Sequence, residues 1–244
     1  MIFHYSSLIK IFIFFILLFK CEFLIASNQD ILILLHGLAR HHSSMRFYEK
    51  EMQDSFDVYN LDYASRQLSL DECISVIKNE VHSILKNHSD HKVHFIAHSM
   101  GGLIAIAVWD SLPKDQQGII ITLGTPYQGS PALNFISEFS QFQKFYGPVL
   151  SDLKNINQEK LILTGAKPIC FYGVDCPFFL NFFGWLYPKN ERHDCLVSER
   201  SACFKNSLKN IELIENHESM LKNEEVVKKV KNTLAEAIIA STNA

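Results

Sequence analysis

Hydrophobic and polar positions fall in blocks along this chain. The first block after the N-terminal region, Ile31-Leu32-Ile33-Leu34-Leu35, is unbroken and ends at His36-Gly37. Such a run suits a parallel strand covered on both faces. A helix follows over roughly Met45 to Asp54, with Ser43 or Ser44 as its cap, then a strand over Val58 to Tyr63. Ser69-Leu70-Asp71-Glu72 reads as a capping box that opens a long helix. Its apolar residues, Leu70, Ile74, Ile77, Val81, Ile84 and Leu85, recur at three and four and make one stripe. In Val93-His94-Phe95-Ile96-Ala97, β-favouring residues run into His98-Ser99-Met100-Gly101-Gly102, and Leu103 to Val108 is apolar again. That is the pattern of a buried strand, a tight turn and a buried helix.

Gly118 to Leu123 is another strand, closed by Gly124-Thr125-Pro126-Tyr127-Gln128-Gly129-Ser130. Ala132 to Tyr146 is expected to be helical, and Leu161 to Thr164 a strand. From Phe171 to Pro188 the period is lost among large aromatics, including Phe178, Phe179, Phe182 and Phe183. Two readings stand: an insertion lying over a functional site, or a satellite core under a long loop. Asp194 to Ser198 resumes the order. Ile211 to Ile214 is a last strand, ending in Glu215-Asn216-His217, and Asn223 to Ile239 a closing helix. Strands alternating with helices give the α/β class, with a mainly parallel sheet covered on both faces. Reactive groups then collect beyond the C-terminal ends of the strands. His36, Ser99, Asp194 and His217 all fall there.

The N-terminus differs. A basic residue, Lys10, precedes the apolar Ile11 to Phe19, and small residues follow near Ala26 and Ser27. The apolar core is short for a membrane span and fits a signal peptide over residues 1–27. An uncleaved anchor is the alternative. Residues 28–244 then form one domain, exported to the periplasm or secreted. Of the 244 residues, 48% are hydrophobic, enough for a sizeable core, and the net charge of −3 gives no hint of nucleic acid binding. Six cysteines are present. In an exported chain Cys170, Cys176, Cys195 and Cys203 read as two disulfides. Three pairings are open, of which Cys170–Cys176 with Cys195–Cys203 is the simplest. No Cys-x-x-Cys pair suggests a metal.

The candidate chemistry centres on Ser99. The turn is a nucleophile elbow, small-x-Ser-x-Gly, with Ala97 in place of the usual first glycine. A serine hydroxyl needs a base within hydrogen-bond reach. Among eleven histidines, His217 stands out because it lies between the last strand and the last helix. Asp194 is the candidate to orient it, with Asp175, Glu191 and Glu199 as rivals. The order Ser99, Asp194, His217 is the order that an elbow of this kind uses. An oxyanion needs backbone donors, for which Met100 and Leu38 are placed. His36 is expected to brace its loop and His98 to pack beside the elbow. His41, His42, His88 and His91 are expected in solvent.

With these pieces in sequence, the chain resembles the α/β-hydrolase superfamily and is similar to small bacterial lipases and esterases. The matching stretches are Leu35-His36-Gly37-Leu38, Ala97 to Gly102, Leu123 to Ser130, Asp194 to Ser198 and Asn216-His217. The resemblance implies ester hydrolysis through Ser99, His217 and Asp194, with Leu38 and Met100 as oxyanion donors and neither metal nor cofactor. Cys195 departs from the small residue that often follows the acid, and the aromatic insertion, with Phe178, Phe179, Phe182 and Phe183 as substrate-binding candidates, lies outside the minimal fold. An acyl-ester or lipid substrate, contact with a membrane surface and a monomeric state are expected. The alternatives are an acyltransferase or acyl-protein thioesterase with the same triad, or a silent lipid-binding module.

Overall fold

In the computed structural model, residues 29–154, 156 and 158–243 are described. The expected signal segment, residues 1–27, lies outside them. Among the described residues no helix is long and apolar enough to cross a membrane.

The chain runs β1 (Ile31–Leu35), α1 (Arg46–Met52), β2 (Asp57–Leu61), α2 (Leu70–Leu85), β3 (Val93–His98) and α3 (Met100–Asp110). It continues through β4 (Gln117–Leu123), four short helices, α4 (Pro131–Ile136), α5 (Ser140–Tyr146), α6 (Val149–Lys154) and α7 (Gln158–Ile162), and β5 (Ile169–Gly173). It closes with α8 (Glu199–Ala202), β6 (Lys209–Leu213) and α9 (Glu224–Thr242). The six strands form one sheet in the order β2-β1-β3-β4-β5-β6, every pair parallel.

The unbroken apolar runs follow from this geometry, because alternate side chains of a strand serve opposite faces. Ile31, Ile33 and Leu35 join the core that α2 and α3 cover, with Ile77, Val81 and Leu103. Leu32 and Leu34 join the core under α1 and α9, with Tyr48, Val227 and Leu234. The α2 stripe buries Cys73, Ile77, Val81 and Leu85, and its start is the expected capping box: Ser69 Oγ accepts from the Glu72 N–H while Glu72 accepts from the Ser69 N–H. Without those bonds the first turn would leave two amides unpaired, and a lost cap costs about 1 kcal/mol.

Three expectations are corrected. Leu161 to Thr164 is no strand. Leu161 and Ile162 end α7, packing partly on the core while Leu163 faces solvent. The strand comes later, at Ile169–Gly173, buried throughout. Phe171 and Tyr172 therefore belong to the sheet, and the aromatic insertion begins only after Gly173. The helix expected over Ala132 to Tyr146 is two helices, broken at 137–139.

The cysteine pairing also differs. Cys176 is bonded to Cys195, while Cys170 and Cys203 are free. Cys170 is committed by β5: its side chain points into the core toward Tyr127, with Sγ 3.8 Å from the hydroxyl. A bond to Cys176 would require pulling that strand residue out of the sheet.

Candidate active site

The C-terminal ends of the strands carry the site. Ser99 follows β3 directly, with φ 53 and ψ −125, a conformation that non-glycine residues rarely adopt. The turn is sharp because α3 starts at the next residue and folds back against β1. A Cβ on Gly101 would lie 2.6 Å from the His36 carbonyl oxygen and 2.8 Å from that of Leu35. Only glycine fits there, which is the physical content of the motif. Thr125 braces the turn from β4, its hydroxyl donating to the Ser99 carbonyl at 2.9 Å.

Asp194 lies in the long connection between β5 and β6, almost wholly buried. Its Oδ1 accepts from the backbone N–H of Leu196 at 3.0 Å and of Val197 at 2.7 Å. Its Oδ2 is 2.7 Å from His217 Nδ1. The two residues are also tied through the backbone, since the His217 N–H donates to the Asp194 carbonyl at 2.8 Å. A buried carboxylate with three donors is held to one geometry. Because Asp194 occupies Nδ1, Nε2 is the nitrogen left to take a proton. Burial disfavours charge on His217, but the Asp194 carboxylate beside it, by charge and hydrogen bond, outweighs that and raises the imidazole pKa above its ordinary value. Gly124, at φ 57, lies under this pair: a Cβ there would come within 2.9 Å of Asp194 Oδ2 and 3.1 Å of His217 Nδ1. That glycine lies in the Gly-Thr-Pro stretch.

Ser99 and His217 line one cleft of about 380 Å³, together with Leu38. Met100 is the first residue of α3, where a backbone N–H has no acceptor within the helix. In the loop after β1, the Ala39 N–H donates to Ser65 Oγ and the Arg40 N–H to the Gly37 carbonyl, so both of these amides are already engaged. Of the four acids considered, Asp194 is the one bonded to His217, while Glu199 pairs with Arg192.

Of the four candidate substrate aromatics, the structure places Phe183 against the cleft. Phe178 is 97% exposed, and Phe179 and Phe182 are each 73% exposed. The rest of the apolar arm comes from the α4–α6 segment, in Leu133, Ile136, Phe145, Tyr146 and Leu153, which sequence reasoning passed over. The sequence feature that marks this segment is its phenylalanines, Phe135, Phe139, Phe142 and Phe145. The structure also adds two guanidinium groups at the mouth, Arg40 and Arg66.

The other histidines divide. His36 is buried at the start of the loop after β1, its ring stacked on Tyr63 at 4.0 Å and Nε2 2.8 Å from Asp62. His98 turns behind the elbow, with Nε2 2.9 Å from the His217 carbonyl oxygen. Burial, and then His217 nearby, hold its pKa well below the usual imidazole value. His41 and His42 are exposed around Asp62, whereas His88 is half-buried against Asp57. Among the described residues no group of three or more His, Cys, Asp or Glu is placed to hold a metal ion.

Comparison with solved structures gives the same architecture. The lipase BlEst2 of Bacillus licheniformis in mature form is 17% identical, with TM-score 0.68 over 85% of this chain and 92% of that one. Phospholipase PlaB from Legionella pneumophila is 13% identical, with TM-score 0.64 over 86% and 64%. The metagenomic carboxyl esterase MGS0156 is 12% identical, with TM-score 0.63 over 86% and 77%. No curated protein matches the sequence. Residues 25–163, more than half of the chain, match the family described as PGAP1-like alpha/beta domain. The chain belongs to that family and has the α/β-hydrolase fold.

Proposed function

We propose that this protein is a serine hydrolase that cleaves carboxylic esters with an apolar acyl chain. One observation carries the reading: a strained elbow serine shares a cleft with a histidine whose Nδ1 is fixed 2.7 Å from a buried aspartate. His217 Nε2 takes the Ser99 hydroxyl proton as Oγ attacks the ester carbonyl. Asp194 stabilises the imidazolium without itself taking the proton. The backbone N–H groups of Met100 and Leu38 receive the oxyanion, where fixed dipoles act without reorganising. His217 then gives its proton to the leaving alcohol, and an acyl group remains on Ser99. Water, activated by the same histidine, releases the acid and restores the serine.

The chemistry of the cleft wall supports an acyl chain as the group bound. Leu133, Ile136, Leu153 and Phe183 offer apolar surface beside Ser99. Exposed Phe178, Phe179, Phe182 and Trp185 supplement it on the outside, and such a patch supports docking to a lipid surface. That the structural neighbours include lipases, an esterase and a phospholipase is consistent with this reading. Export fits the disulfide, since such bonds persist in oxidising surroundings. The test is labelling with a fluorophosphonate, followed by mass spectrometry of the modified peptide, alongside hydrolysis of p-nitrophenyl esters. Modification at Ser99 with turnover is expected. Absence of both would remove the hydrolase reading and leave a binding module.

A further inference from the structure

Beside the apolar arm, the cleft has a second and chemically different wall. Arg66 stands in the loop between β2 and α2. Its Nε–H donates to the Phe145 carbonyl at 2.8 Å, and its guanidinium carbon lies 4.1 Å over the Phe145 ring. These two contacts fix the plane of the group and leave its terminal nitrogens for a ligand. Among the described residues no carboxylate pairs with Arg66. Arg40, which also lines the cleft, is paired with Glu218, so of these two guanidinium groups Arg66 is the one left without a carboxylate. Ala39, Arg40 and Arg66 also line a small hollow of about 110 Å³ that adjoins the cleft, with Ser65 and Gln67 on its far side. The lining of this hollow is mixed, and its two guanidinium groups set it apart from the apolar arm.

We propose that the cleft selects esters carrying an anionic group, a phosphate or a carboxylate, which sits at Arg66 while the apolar chain lies along Leu133, Ile136 and Leu153. This rests on Ser99 being the nucleophile as described above. A forked guanidinium matches the paired oxygens of either anion. The Phe145 ring under Arg66 joins the two walls, so one substrate can span both. The anion belongs to the alcohol part of the ester or to the acyl part, and the two are separable by experiment.

The experiment compares three soluble esters with matched medium chains, using purified full-length protein below micelle-forming concentrations. They are a neutral monoacylglycerol, the same monoacylglycerol phosphate, and a monoester of a dicarboxylic acid. For wild type, kcat/KM on one of the anionic esters should exceed the neutral one by about tenfold, the size of a hydrogen bond to a charged group. Preference for the phosphate places the anion on the alcohol, and preference for the dicarboxylate monoester places it on the acyl part. Arg66→Gln should lower the anionic-to-neutral ratio about tenfold, and Arg66→Lys should keep part of it. Added salt should lower the wild-type ratio in the same direction, which tests the charge without any substitution. A wild-type ratio at or below one, or a ratio that neither Arg66→Gln nor salt changes, would overturn the proposal. Fluorophosphonate labelling of Ser99 separates the two failures: labelling without charge preference removes this inference alone, whereas no labelling and no turnover removes both.

Discussion

His98 Nε2 lies 2.9 Å from the carbonyl oxygen of His217, linking the last residue of β3 to the loop after β6 across 119 positions of sequence. The acceptor is a carbonyl, so Nε2 carries the hydrogen, and the low pKa of this buried ring keeps it neutral. His98→Phe keeps a ring of similar shape and removes the donor. It should lower kcat/KM roughly tenfold to a hundredfold, because small misplacements of a catalytic group have effects of that order. Steady-state kinetics beside a melting curve decides this. A large loss of thermal midpoint with unchanged kcat/KM would make His98 a packing residue only.

Ser99 occupies a backbone conformation that suits glycine better than serine. Ser99→Ala and Ser99→Gly should both abolish ester turnover. Ser99→Gly should be the more stable of the two by about 1 kcal/mol, the strain relieved being partly offset by the entropy of an added glycine. Urea unfolding of both variants measures it. Equal stability would mean that the elbow is unstrained.

Asp194→Asn should reduce kcat by about 10⁴-fold, as loss of an orienting carboxylate does. Asp175→Asn should do much less. The pH profile gives a second readout. Protonated His217 cannot accept the serine proton, and its folded pKa is raised. Activity should therefore fall as pH drops through a value above that of an ordinary imidazole. In Asp194→Asn the residual activity should keep its level to lower pH, since the raising charge is gone.

The aromatic segment divides into exposed and cleft-lining rings. Changing Phe178, Phe179 and Phe182 to serine should leave the thermal midpoint almost unmoved, because these rings are largely in solvent already. It should reduce activity on vesicle-borne or micellar esters far more than on soluble acetate esters. Phe183→Ser should lower activity on long-chain esters even in solution, since Phe183 lines the cleft. Equal effects on all substrates would give these rings a structural role.

The elbow was legible in the sequence because the residues it demands are adjacent, although what crowds them comes from β1 and the residue after it. The carbonyl oxygens of Leu35 and His36 leave no room for a side chain at Gly101, two residues after the serine that ends the turn from β3. Asp194 and His217 were legible through chain order, and the structure brings both together. Leu161 to Thr164 misled because a short apolar run has no period that separates strand from helix end. Cys170 misled because its role depends on which way β5 turns its side chains. Arg66 gave no signal, since its fixed position comes from Phe145, 79 residues on.

The bond between Cys176 and Cys195 fastens the residue after Asp194 to the segment just beyond β5. Hydrogen bonds to Leu196, Val197 and His217 form on folding, but this link needs an oxidant. Reduction of that bond would add two hydrogen atoms and leave the hydrogen bonds as the ties on the carboxylate. The covalent tie on the acid's turn is thus the one part of the site that the folding chain cannot make from its own contacts alone.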